Sequence, residues 1–304
     1  MGTMKRKVIQ IAESTQLISL PRKWALQYGI KKGDELDVDI QGSQLMISSG
    51  DSVRTEKIEL DVSTLEPFIL RAVDAMYKSG YDEVDLHFSD SHSIHGLQAN
   101  VSQEMPEFEI IEQTGSSLKI RSVSTASAEE LDGMLRRMFL ITLSISQNVA
   151  DMAAQANFQK IEDVLALEKT NNRLCNFCER LLNKYGFLQY RKPTFLYTIV
   201  WEMEKIADQY KYLCLGWRER MPKLSDQEVQ LLQQTHQLLH TFYELFYKYD
   251  PDKAAAIATT RKQIIDRVNE LFFKPNQDYK LLHHTASIAQ MVFNLLGCYF
   301  GTRY

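Results

Sequence analysis

Two sets of side chains in this sequence have types and spacings suited to chemistry. The first is cationic: Lys5, Arg6, Lys7, Arg22, Lys23, Lys31 and Lys32 are opposed before residue 34 by Glu13 alone, although the whole chain carries a formal net charge of -4. Local sign, more than the sum, decides which partner a segment attracts. Lys5, Arg6 and Lys7 lead into a first strand and Arg22 and Lys23 flank a short helix, which makes these five the groups expected against phosphates. A solvated charged face is the competing reading. The second set is acidic. Glu204 and Asp208, in Trp201-Glu202-Met203-Glu204-Lys205-Ile206-Ala207-Asp208, are four residues apart and share one helical face. Glu168 belongs to a second such stretch, in which Asn172 stands where a second acid would fall. Clustered carboxylates repel one another unless a cation or a bound proton offsets them.

Other candidates carry less. Cys175-x-x-Cys178 has no second pair and sits in a helical stripe, so core packing is expected. His236, His240 and Glu244 line one helix at a spacing of four and read as ordinary helix residues. There is no phosphate-cradling glycine loop and no Ser-His-Asp or Cys-His arrangement, so the expectation is a protein that is not an enzyme.

The elements that must position these residues fall into three regions. Over 5–50, Val8 to Ile11 and Leu17 to Leu20 read as strands, Pro21 suits the first turn of a helix that Gly29 ends, and Leu36, Val38 and Ile40 alternate with acids before Leu45 to Ile47. Over 55–125, strands at Ile58 to Val62 and Val84 to Phe88 enclose a helix from Pro67 to Tyr77. A helix around Ile94 to Val101 and a hairpin through Gly115 follow, predicting an open sheet with helices on one side. Over 128–304 the apolar period changes to 3.6, and breaks near Asn157, Gly186 to Pro193, Met221-Pro222, Asp250-Pro251 and Lys274-Pro275 predict about six long helices in two three-helix halves.

Composition sets the class. At 304 residues, 44% hydrophobic and 24% charged, the chain is globular in type. No uncharged apolar stretch reaches membrane-spanning length and no signal core opens the sequence, so the cytoplasm is expected and membrane insertion is not. Four cysteines are too few for a disulfide framework and suit a reducing compartment.

The run from Arg6 to Ser48, with Leu17-Ile18-Ser19-Leu20-Pro21, Trp24, Gly29 and Lys32-Gly33-Asp34-Glu35-Leu36, resembles the AbrB/SpoVT swapped-hairpin DNA-binding domain. The resemblance implies that two copies interlock their hairpins and present Lys5, Arg6, Lys7, Arg22 and Lys23 to double-stranded DNA. Size points the same way, since a segment of about 45 residues without a staple is marginal unless it pairs, which predicts a homodimer. Residues 129–304, with the Glu204-x-x-x-Asp208 unit, resemble PhoU proteins. That resemblance implies a divalent or ferric ion at Glu168, Glu204 and Asp208. Asn172 departs from the family pattern, as does the second half, where Lys262 precedes Asp266 and the last helix offers His284 and Gln290 without a carboxylate. A salt-bridged helix face is therefore the competing reading, and no cofactor is certain.

The expected fold is multidomain: a small mostly-β swapped-hairpin domain, a middle α/β unit, and C-terminal all-α PhoU-like helical bundles. Together the two resemblances match archaeal phosphate uptake regulators. The expected function is a DNA-binding transcriptional regulator linked to phosphate uptake. The alternative is a PhoU-like adaptor of a phosphate transporter or sensor kinase without specific DNA binding.

Overall fold

The computed structural model describes residues 5–11, 14–41, 44–48, 55–90, 94, 96–124, 130–189 and 192–304. The chain divides into two compact units, Met1–Thr55 and Glu56–Tyr304.

The first unit is built from two antiparallel hairpins and one helix. Strands β1 (Ile9–Ile11) and β2 (Thr15–Leu17) pair with Ile9 opposite Leu17, helix α1 spans Arg22–Gln27, and β3 (Asp37–Gln41) pairs with β4 (Gln44–Ser48). Two expectations shift. The second strand ends at Leu17, three residues early, and Pro21 is the residue before the helix rather than its first turn. Proline disfavours helical geometry in the residue before it, so Leu20 stays outside the helix, and Pro21 itself, at φ -62 and ψ 120, is extended. Gly29, at φ 67, closes α1: its N–H donates to Leu26 O and that of Ile30 to Ala25 O at 2.9 Å, the paired closure that a left-handed residue permits.

The second unit begins with a four-stranded sheet of order β5-β6-β8-β7, from β5 (Lys57–Asp61), β6 (Glu83–His87), β7 (Phe108–Gln113) and β8 (Ser117–Ser122). Strands β5 and β6 are parallel, and the rest of the pairing is antiparallel. Helices α2 (Ile69–Lys78) and α3 (Leu97–Glu104) contribute Val73, Tyr77, Leu97 and Val101 to one core with Val84, Leu86, Leu118 and Ile120 of the sheet. The other sheet face is charged, with Glu83 between its cross-strand neighbours Lys57 and Arg121 at 2.9 and 2.6 Å. Helix α3 starts three residues later than expected because Gly96, at φ 86, takes the left-handed turn that precedes it.

A long all-helical bundle follows: α4 (Glu130–Gln155), α5 (Ile161–Gln189), α6 (Pro193–Glu219), α7 (Asp226–Tyr247), α8 (Pro251–Phe272) and α9 (Tyr279–Arg303). Helices α4 to α6 all touch one another, as do α7 to α9, and the two halves meet through α4 against α7 and α6 against α9. The starts are coded locally. Ser225 and Glu228 cap α7 reciprocally, Asp250 caps α8 ahead of Pro251, and Asp278 caps α9. Helix α5 runs through Gly186, where an internal glycine costs only about 1 kcal/mol, and ends at Gln189, within the break expected over Gly186 to Pro193; Lys192 is outside helical geometry, ahead of Pro193. Among the described residues no helix is long and apolar enough to cross a membrane.

Candidate functional site

All five candidate phosphate-contacting residues, Lys5, Arg6, Lys7, Arg22 and Lys23, are exposed. Their surroundings are unusual for a folded unit, because no residue before Glu56 whose side-chain burial is described is buried. Pairing register puts Ile9, Ile11 and Leu17 on one face of the first hairpin, and Val38, Ile40 and Leu45 on one face of the second. All six are exposed, Ile40 by 73%. Within α1 the rings of Trp24 and Tyr28 lie 5.4 Å apart, and both side chains are half-buried. The first unit thus offers cations and apolar strand faces to its surroundings together.

The candidate metal ligands lie on α5 and α6. Glu168 is 3% exposed and Asp208 is buried. They are brought together around an ammonium group: Lys211 Nζ donates to Glu168 Oε1 at 2.6 Å and to Asp208 Oδ1 at 2.5 Å. Asn172 donates to the same Glu168 oxygen at 2.7 Å. Glu204 joins through Lys205, whose ammonium is 2.5 Å from Glu204 and 3.5 Å from Asp208. Burial alone would lower the Lys211 pKa, but the hydrogen bonds and charges of Asp208 and Glu168 outweigh it and hold the value above the lysine norm. Burial raises the Glu204 pKa. It also raises that of Glu104, at the end of α3, with the Glu168 charge adding to the effect.

As arranged, this donor set does not fit a metal ion. The position between Glu168 and Asp208 is taken by Lys211, and among the described residues no group of three or more His, Cys, Asp and Glu side chains is placed to hold one. In the second half, Arg261 Nε donates to Gln290 Oε1 at 3.0 Å. Sequence reasoning missed Lys211, whose signal is its place three residues after Asp208, one turn along the same face.

It also missed Arg180, which joins α5 to the sheet. The guanidinium is 2% exposed and donates to Tyr77 O at 3.0 Å, Tyr81 O at 2.5 Å and Asp82 Oδ1 at 2.9 Å. It also lies 5.1 Å from the Tyr77 ring centre and 5.0 Å from that of Phe108. Lys184 reaches the same Asp82 oxygen. Cys175 and Cys178 are buried and free, with both thiols pushed upward by burial. His240 Nδ1 lies 3.8 Å from Glu244 Oε1, but His236 Nδ1 is 2.8 Å from Ser146 Oγ and Glu244 pairs with Lys253 at 2.9 Å, so the three side chains do not share one partner. No family model matches the chain, and no curated protein or solved structure matches it.

Proposed function

We propose that the chain is a homodimeric DNA-binding regulator of transcription tied to phosphate uptake. One observation carries this reading: the first unit leaves its apolar strand faces, Ile9, Ile11 and Leu17 and then Val38, Ile40 and Leu45, in water beside exposed Lys5, Arg6, Lys7, Arg22 and Lys23. Apolar area of this kind is stabilised only by removal from water. A second copy interleaving its hairpins, as in the swapped-hairpin domains the sequence resembles, would remove it and double the cations on one surface. Phosphate contacts from that surface would supply affinity and register, with base edges or duplex shape supplying sequence preference.

The second unit, in this reading, carries the PhoU-like sensing or docking role. Its carboxylates are paired with Lys211 and Lys205, where the resemblance implies a metal ion. A signal there would act by favouring one of two states of the dimer through a difference in contacts. The experiment is mapping of the genomic DNA bound by the chain in cells grown at high and at low phosphate. Discrete sites whose occupancy changes with phosphate are expected. Absence of enriched sites in both conditions would reject the DNA reading and favour the adaptor.

A further inference from the structure

Helix α7 carries a pair of imidazoles that neither the DNA reading nor the carboxylate face uses. His236 and His240 are one turn apart on the same side of α7, with ring centres 6.2 Å apart. The Nδ1 atom of each ring faces an oxygen. His236 Nδ1 lies 2.8 Å from Ser146 Oγ on α4, and the Ser146 hydroxyl donates its one hydrogen to Leu143 O at 2.8 Å. Ser146 Oγ must therefore accept from His236, so Nδ1 carries the imidazole proton and Nε2 keeps a bare lone pair. His240 Nδ1 faces Glu244 Oε1 at 3.8 Å, beyond a hydrogen bond, and its side chain, 40% exposed, has room to turn. The charges acting on these groups are those of Asp151 on α4, Glu244 and Asp250, against Lys253, which Glu244 binds at 2.9 Å. That balance is negative and favours a cation beside the two rings.

We propose that His236 and His240 chelate one divalent transition-metal ion through their Nε2 atoms. With metal–nitrogen bonds of about 2.1 Å, two imidazoles can share an ion while their centres are within about 6.4 Å, a limit that 6.2 Å meets. Ser146 supplies the feature that ligating histidines ordinarily have, an acceptor on the other ring nitrogen that fixes tautomer and orientation. A pair of imidazoles selects Cu(II), Zn(II) or Ni(II) over magnesium or calcium, with water completing the coordination. The pair is separate from Glu168, Glu204 and Asp208, and it does not depend on the DNA reading.

The test is isothermal titration of the full chain with zinc chloride and, separately, with copper(II) chloride at about pH 7.5, where imidazole is neutral. One ion per chain is expected, with copper bound the more tightly. Ser146→Ala should weaken binding about tenfold by releasing the His236 ring. His236→Asn and His240→Asn should each weaken it further than that, since each removes a ligand, and both side chains are partly exposed, so unchanged circular dichroism is expected. His283→Asn, at an exposed histidine on α9, should leave binding unchanged. The proposal is overturned if neither ion binds, if the two α7 variants bind like the parent, or if a folded Ser146→Ala does so. It is equally overturned if only one of the two α7 histidines matters, which would mark an adventitious ion on a lone ring. Should Ser146→Ala fail to fold, the two histidine variants decide.

Discussion

Lys211→Met removes the ammonium that two buried carboxylates share. Methionine retains the apolar stem and tolerates an irregular site, so packing changes little. The charge balance changes a great deal. Glu168 loses its 2.6 Å partner while its side chain stays 4% exposed, and Asp208 loses a partner at 2.5 Å. Breaking one side of a buried pair typically costs 3–5 kcal/mol, and since Asn172 still donates to Glu168 we expect about 3 kcal/mol here. At about 2–4 °C per kcal/mol for a unit of this size, Tm should fall by roughly 6–12 °C. Adding Glu168→Gln should restore much of the loss, because the orphaned charge goes with the ammonium. The alkaline limb gives a second readout. The folded Lys211 pKa lies above its unfolded value, so its stabilisation is intact below about pH 10.4 and is lost as pH rises through the higher folded value; the variant should lack that loss. Thermal unfolding followed by calorimetry at pH 7 and across the alkaline range measures both. A Tm within about 2 °C of the parent, or a double variant less stable than Lys211→Met alone, would refute the reasoning.

Three further perturbations address other parts of the second unit. Burial, with His283 nearby, pushes the His284 pKa down to about 4, and its Nδ1 lies 2.9 Å from Gln209 Oε1. The neutral ring is therefore favoured on folding, and stability should decline as pH falls from about 6.5 towards 4, less so in His284→Asn, as thermal melts in that range would read. Gly80→Ala places a Cβ 3.2 Å from Lys184 Cβ at a φ of 96, and should cost about 1–2 kcal/mol or more by urea titration. Arg180→Lys keeps the charge but loses the fork that holds Tyr77 O, Tyr81 O and Asp82 at once, so amide exchange in α2 and β6 should accelerate at unchanged helix content.

What was readable in the sequence was whatever is coded within a few residues. Alternating apolar residues announced β5, β6 and the β7–β8 hairpin, the 3.6 period announced α4 to α9, and the break expected at Asp250-Pro251 is the capped start of α8, whereas the caps Ser225 and Asp278 lie a few residues past the breaks expected at Met221-Pro222 and Lys274-Pro275. The candidate site was half readable. Glu204 and Asp208 share a face through helical spacing alone, whereas the meeting of Glu168 with Lys211 depends on how α5 lies against α6, which no local pattern encodes. Arg180 shows the limit more sharply, since its partners at Tyr77, Tyr81 and Asp82 are about a hundred residues away in the chain. The exposed faces of β1 to β4 are a different case: alternation foretells an apolar side, but only the folded chain reveals that Ile9, Ile11, Leu17, Val38, Ile40 and Leu45 are exposed on it.

The most direct test of the account is equilibrium binding of duplex DNA by the full chain as salt is raised, with Arg22→Ala/Lys23→Ala alongside. The parent should bind as a dimer, with log affinity falling linearly in log salt. The variant should remain dimeric, bind more weakly and show a shallower slope, by about 0.9 for each phosphate contact removed. No binding at low salt, or a variant with the parent's affinity and slope, would contradict it.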